Sequence, residues 1–277
     1  MPAHDATTTD TPTPATWRGA ELGTRTVTYD ERDAILYALA VGARATDLDI
    51  VFEDRLRVLP TFALTLAQWA PDALGSLGAF DTKTALHGSQ KLDVLSPLPK
   101  SGSITMTARV GEVWDKGRAA VFEVVVESEH FVATWSLFAP GAGGFGGDRG
   151  PSAPAQPDGE PDSTALLTTH AEQAALYRLT GDRHHIHIDP DAAAGIGQPR
   201  PILHGLCTLA ATTLPLAQEL GAHPADLVAL SGRFAAPVFP GDTAEIRAWG
   251  ASSEVRFDVT TEAGAVLSGG RAVFAQS

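Results

Sequence analysis

Gln173-Ala174-Ala175-Leu176-Tyr177-Arg178-Leu179 echoes the earlier Asp33-Ala34-Ile35-Leu36-Tyr37-Ala38-Leu39, and the offset between them is 140 residues (173 − 33). The offset persists along the chain. Pro97-Leu98 matches Pro237-Val238 at the same spacing, and Ser136-Leu137-Phe138-Ala139 matches Ala272-Val273-Phe274-Ala275 at 136. Self-similarity at a fixed period marks two copies of one unit. Between them, Pro140 to Asp162 is dense in Gly, Pro, Ala and Ser, a composition typical of a connection. The division expected is a disordered tail over 1–16, an N-terminal unit over 17–140, a linker over 141–162 and a C-terminal unit over 163–277.

Each copy opens with an alternating strand pattern, at Thr24 to Tyr29 and at Thr164 to Thr169, and runs into a helical one. Each ends in three strand-like segments: Ser103 to Val113, Ala119 to Ser128 and His130 to Ala139, then Thr243 to Trp249, Glu254 to Thr260 and Ala265 to Phe274. An α+β fold follows. Both copies hold a His-Gly pair, at His87-Gly88 and His204-Gly205, but ten residues separate His87 from Pro97 and thirty-three separate His204 from Pro237. The extra length includes Leu206 to Leu220, an apolar run long enough for a helix that the first copy lacks on this alignment. Either the first copy is left with a hollow for a long substrate tail, or apolar Pro60 to Leu74 fills the gap.

Chemistry is concentrated just after the repeated helix, in Thr180-Gly181-Asp182-Arg183-His184-His185-Ile186-His187-Ile188-Asp189-Pro190, followed by Arg200-Pro201-Ile202-Leu203-His204-Gly205. Gly181 is a natural helix terminator, and a loop beyond it lets Asp182 and His187 converge. Ordinary pKa values of about 3.9 for Asp and about 6.5 for His put one group in its base form and the other near its switching point. Gly205 would open the next helix, where unpaired NH groups favour a developing negative charge. A base, an acid and an oxyanion donor are the parts needed to move a proton to or from a carbon beside a carbonyl. The first copy has small or apolar residues near Ala43 and Leu48, so only the second can be catalytic.

Other readings of these residues stand beside that one. His184, His185, His187 and Asp189 could ligate zinc, although no second His or Cys cluster completes a site; the expectation is no metal. His204 reads either as a buried helix-start group or as a chemical one. Arg200 and Arg233 read as partners for ligand phosphates or as solvated charges. Gly143 to Gly147, with Gly146 and Gly147 as the candidate donors, reads as a phosphate cradle or as plain linker.

With 20 basic against 33 acidic residues the net charge is −13, which repels a phosphate backbone and argues against nucleic acid. An anionic small molecule needs only a local cluster of donors. The lone Cys207 has no internal disulfide partner and sits in an apolar run, consistent with a buried thiol in a reducing compartment. Residues 1–16 lack the basic start and apolar stretch of a secretory signal, and no run reaches membrane-spanning length. A cytoplasmic location without membrane attachment is the expectation.

The segment from Tyr177 to His204 resembles the hydratase 2 motif of the MaoC-like enoyl-CoA hydratases. The likeness extends to Arg57-Val58-Leu59-Pro60-Thr61-Phe62, Leu86-His87-Gly88, Gly143-Gly144-Phe145-Gly146-Gly147 and Pro237-Val238-Phe239-Pro240-Gly241-Asp242. It implies a double hot dog fold, two antiparallel sheets each wrapping a central helix, with that helix missing or reduced in the N-terminal unit, which would accommodate the acyl chain. It also implies (R)-specific hydration of a trans-2-enoyl-CoA to a (3R)-3-hydroxyacyl-CoA, with Asp182 and His187 acting on water and substrate and Gly205 supplying an oxyanion NH. An acyl-CoA substrate, no cofactor and a homodimer are further implications. Where the family carries Asn-Pro, this chain has His184-His185, so an imidazole at His184 takes over the loop-ordering role. A dehydratase of carrier-bound or specialised thioesters, a non-catalytic acyl-thioester binding protein and a hot dog thioesterase are the rival readings.

Overall fold

The computed structural model describes residues 13–250 and 253–276. Of the tail expected over 1–16, residues 1–12 lie outside the described residues. Pro14–Trp17 forms a 3-10 turn, and Trp17 packs against the core, so ordered structure begins earlier than the sequence suggested. The first half then holds β1 (Glu21–Tyr29), α1 (Glu31–Ala40), α2 (Leu48–Val51), α3 (Phe62–Leu66), α4 (Trp69–Ser76), β2 (Leu86–Val94), β3 (Gly102–Asp115), β4 (Ala119–Glu127) and β5 (Phe131–Pro140). The second holds β6 (Ser163–Thr168), α5 (Gln173–Tyr177), α6 (Pro190–Gly195), α7 (Gly205–Glu219), β7 (Leu227–Phe234), β8 (Thr243–Trp249), β9 (Glu254–Thr261) and β10 (Gly264–Phe274). Among the described residues no helix is long and apolar enough to cross a membrane.

All ten strands form one antiparallel sheet in the order β1-β3-β4-β5-β2-β7-β10-β9-β8-β6. Read inward from either edge, each half repeats the same sequence of first, third, fourth, fifth and second strand. The duplication is therefore present in the topology. The strands form because apolar residues recur at every second position: in β5, Phe131, Ala133, Trp135, Leu137 and Ala139 are buried while their neighbours are half-buried. The halves join where β2 pairs with β7, from Ser89 opposite Arg233 to Asp93 opposite Ala229. At this junction α1 packs on α5, and the repeated tyrosines Tyr37 and Tyr177 meet with ring centroids 6.0 Å apart. In α1, Asp30 and Asp33 form a reciprocal capping box that satisfies two orphan NH groups.

Inside the second half, α7 packs against β6 and β10. It is buried almost all round, which suits a central helix. The hydroxyls of Thr208, Thr212 and Thr213 donate to the carbonyls of His204, Thr208 and Ala210, so its buried polar groups are met within the helix. Inside the first half, α3 packs on β5 and α4 on β1, β3 and β4. This is the double hot dog architecture that the resemblance implied.

The central helix of the first half is broken and shortened, so of the two alternatives, missing or reduced, it is reduced. His87 and Gly88 lie in β2, the counterpart of β7, whereas His204 and Gly205 stand at the start of α7; the two His-Gly pairs are not equivalent. The counterpart of α7 is α3–α4, whose residues Phe62, Ala63, Leu64, Thr65, Leu66, Ala70 and Leu74 are all buried. The apolar segment from Pro60 to Leu74 thus occupies the space assigned to an open tunnel.

A second correction concerns Gly146 and Gly147. The backbone NH groups of Gly117, Gly144 and Gly146 donate to the Asp115 carboxylate at 2.8, 2.9 and 2.8 Å. The glycine loop therefore cradles an internal anion and has no free donors at Gly146 for a ligand phosphate, and a Cβ on Gly147 would strike the Phe145 ring at 2.4 Å. The Gly144 NH, then Gly117 and the others, hold the Asp115 carboxyl down to about 2. Because that value lies below the ordinary ~3.9, the contribution to stability is complete above about pH 4 and lost as pH falls towards 2. Circular dichroism should show the wild type losing thermal stability across this window, while Asp115→Asn starts lower at pH 7 and changes less. A Cβ at Gly143 would lie 2.5 Å from backbone atoms of Ala119. Gly143→Ala should therefore cost about 3 kcal/mol in denaturant titration, the scale of an overpacked interior.

Candidate active site

The loop that carries the site begins where α5 gives way to a 3-10 turn over Arg178–Thr180 and then to Gly181 at φ +154. That φ suits glycine, and the position lies against α3, where a Cβ would make ordinary contact with the Thr65 carbonyl at 3.7 Å. Asp182 follows. His185–His187 forms a further 3-10 turn, so His185, His187 and Asp189 do not line up on one side of an extended segment as zinc ligands would there. Asp189 instead caps α6, accepting the Asp191 NH at 2.9 Å.

The turn brings Asp182 and His187 together. A carboxylate oxygen of Asp182, a ring nitrogen of His187 and a ring nitrogen of His204 all lie within 4.8 Å of one another. Such a spacing admits one water bridging carboxylate and ring. His187 is buried, and its Nδ1–H donates to the Ile202 carbonyl at 2.9 Å, which assigns the lone pair to Nε2. Burial lowers the His187 pKa, with the Ile202 bond and the Asp182 charge opposing in part, and the ring is neutral at pH 7. Burial by itself would raise the Asp182 pKa. The His184 ring and the nearby His204 outweigh it, and the carboxyl is held well below the usual range.

His204 caps the start of α7 and stacks on His187, with centroids 3.7 Å apart and planes 24° from parallel. Its Nε2 reaches the Asp182 carbonyl at 3.1 Å, tying the helix to the loop. Burial and then the neighbouring His187 push its pKa down to about 3, so His204 is neutral and does not compete for positive charge. Gly205, next along, opens α7, and its first-turn NH groups have no carbonyl to bond within the helix. A Cβ there would meet the Phe234 ring at 3.0 Å, so a larger residue would have to push that ring or the helix start aside.

The first half also contributes. His87 in β2 packs against the Phe234 ring, tilted by 55° with centroids 4.6 Å apart, and burial pushes its pKa down to about 4. Asp72 in α4 lies close enough to His184 and Asp182 to feel both charges, with burial raising its pKa first. The sequence hid these two groups. His87 was visible but matched to the wrong partner, and Asp72 was a lone carboxylate in an apolar run whose orientation depends on the broken α3–α4 segment.

The remaining expected residues separate. Arg200 donates to the Pro240 carbonyl at 2.9 Å and to Asp242 at 2.8 Å and lies over the Phe239 ring, bracing the Val238–Asp242 turn; it is neither a free phosphate ligand nor a simply solvated charge. Arg233 is exposed in β7, one residue from Phe234. His184 contacts Asp182 directly, with Nδ1 to Oδ1 2.7 Å and its backbone NH to the same oxygen 3.1 Å. Cys207 is buried and contacts Gln173, and burial raises its pKa, consistent with an unreactive thiol. A separate cleft of about 650 Å³ runs between residues 41–50 and the later part of α7. Its wall includes the first copy's counterpart of the Asp182 loop, which carries Asp47 and Asp49 but no imidazole.

Comparison with known proteins follows the same division into halves. Residues 27–138 match the MFE-2 hydratase 2 N-terminal domain, and residues 152–269 match the MaoC like domain. The chain is 39% identical over 238 residues to 3-hydroxyacyl-thioester dehydratase Y of Mycobacterium tuberculosis, covering 80% of this chain and 82% of that protein. It is 38% identical over 248 residues to enoyl-CoA hydratase ChsH3 of the same organism, covering 83% and 87%. The crystal structure of a MaoC-like dehydratase from Phytophthora capsici superposes with a TM-score of 0.83 at 28% identity, covering 94% of this chain and 97% of that one. With this coverage of both halves, the chain belongs to the MaoC-like hydratase 2 family of lyases.

Proposed function

We propose that this protein catalyses the reversible hydration of a trans-2-enoyl-CoA to a (3R)-3-hydroxyacyl-CoA, using Asp182 and His187 as its acid and base. The observation that carries this reading is the convergence of an ionised carboxylate and a neutral imidazole within 4.8 Å, beside the open start of α7. The names of the relatives, one a hydratase and one a dehydratase, describe opposite directions of this chemistry.

In the forward direction a water held by Asp182 and by Nε2 of His187 loses a proton to one of them as its oxygen joins Cβ. The electrons of the double bond move towards the thioester oxygen, which the Gly205 NH stabilises as an enolate. A proton is then delivered to Cα, and the enzyme groups return to their starting states. The His187 tautomer supports this route, since Nδ1–H is held by Ile202 and only Nε2 is free to exchange a proton. Arg233, exposed in β7, would meet a phosphate of the coenzyme in this reading, and the resemblance points to a homodimer, which sedimentation analysis can test.

Loss of absorbance from the conjugated enoyl thioester, followed across short, medium and long chains, should report turnover, and chiral analysis should give the 3R product. No decay at any chain length with ample enzyme would contradict the reading, and release of free thiol would mark a thioesterase instead. Asp182→Asn and His187→Ala should each lower kcat/KM by about 100-fold to 10,000-fold with unchanged circular dichroism. Gly205→Ala should lower it by about 100-fold, because the added methyl displaces the helix start from β7.

A further inference from the structure

The residue that departs from the family motif makes the shortest side-chain contact in the site. His184 Nδ1 lies 2.7 Å from Asp182 Oδ1, and the His184 backbone NH reaches the same oxygen at 3.1 Å. The ring is 63% exposed and the Asp182 side chain 14%, so a proton can reach the imidazole from solvent while the carboxylate stays enclosed. An amide at this position could supply the hydrogen bond. It could not supply a charge.

The charged and titratable groups around the ring come from three elements. On its own loop are Asp182 and His187, on α4 is Asp72, and at the start of α7 is His204. The two carboxylates, Asp182 first, favour the protonated ring, while partial burial opposes it. A cation there acts on both reacting groups in the useful direction. It favours ionised Asp182, and it opposes protonation of His187.

We infer that His184 is a positioning residue whose imidazolium pairs with Asp182 and keeps the site in its reactive form, carboxylate ionised and His187 neutral, at pH values where an amide in its place would let the site take up a proton. This rests on the hydration reading above. As pH falls towards the point where Asp182 or His187 would gain a proton, the His184 charge is fully present and pushes both pKa values down. The acid limb of kcat/KM therefore lies lower than hydrogen bonding alone would put it. The sign is the same whichever of the two groups sets the limb.

The test compares wild type with His184→Asn, which keeps a hydrogen bond without charge, and His184→Lys, which keeps charge. In His184→Asn the acid limb should rise by about one pH unit, so that the ratio of kcat/KM at pH 5.5 to that at pH 8 falls several-fold, with about tenfold the limit reached well below the limb. His184→Lys should hold the limb within a few tenths of a unit of wild type. NMR titration of the imidazoles supplies a readout independent of turnover: the His187 pKa should rise in His184→Asn, and the His184 pKa should fall in Asp182→Asn. An unmoved limb with an unmoved His187 titration in His184→Asn would overturn the inference, as would a lysine variant that behaves like the asparagine one. A wild type that hydrates no enoyl thioester would defeat the hydration reading instead, and the imidazole titrations would still decide the His184 pairing.

Discussion

The pairing of β2 with β7 is the constraint on which the rest depends. Each backbone hydrogen bond along such a seam has a net worth of only about 1 kcal/mol, but the seam fixes which parts of the two copies face each other. Because it is antiparallel and central, α1 and α5 pack across it and the α3–α4 segment lies against the loop that follows α5. The loop of Asp182 and His187 therefore belongs to one copy while its walls come from both. His87 and Asp72 approach Asp182 only because the sheet is continuous through this junction.

Within the site, three imidazoles and a carboxylate divide their roles by burial. His204 is the most enclosed and stays neutral, serving as a stacking partner and as a tether for the Asp182 carbonyl. His187 is buried with one nitrogen committed to Ile202, leaving a single exchangeable position. His184 is exposed and pairs with the carboxylate itself. The same residue type is thus driven towards different protonation states by the depth at which each ring sits. The duplicated loop of the first copy, with Gly42 and Asp47 at the places 140 residues before Asp182 and His187, keeps a cleft but supplies no carboxylate–imidazole pair.

Much of this was legible in the chain. The repeated Tyr37 and Tyr177 helices announced the duplication, and alternating apolar residues located eight strands but missed β2 and β7, the pair that forms the seam. Asp182, His187 and Gly205 were recognisable because a loop after Gly181 and a helix start are local features. What the sequence concealed is set by long-range contact. Gly146 reads as a phosphate donor until Asp115, thirty-one residues away along the chain, takes its NH. Arg200 reads as a ligand cation until the Val238–Asp242 turn folds over it. The two His-Gly pairs misled for a different reason: identical dipeptides fell in a strand and before a helix, and only the strand order shows which segments correspond.

The most direct measurement is a crystal structure with a non-reactive 3-hydroxyacyl-CoA analogue. The 3-hydroxyl should sit between an Asp182 oxygen and Nε2 of His187, each at hydrogen-bond distance, with the thioester oxygen on the Gly205 NH. A thioester seated instead in the cleft beside residues 41–50, with Asp182 and His187 untouched, would contradict the assignment of this loop as the place where water adds.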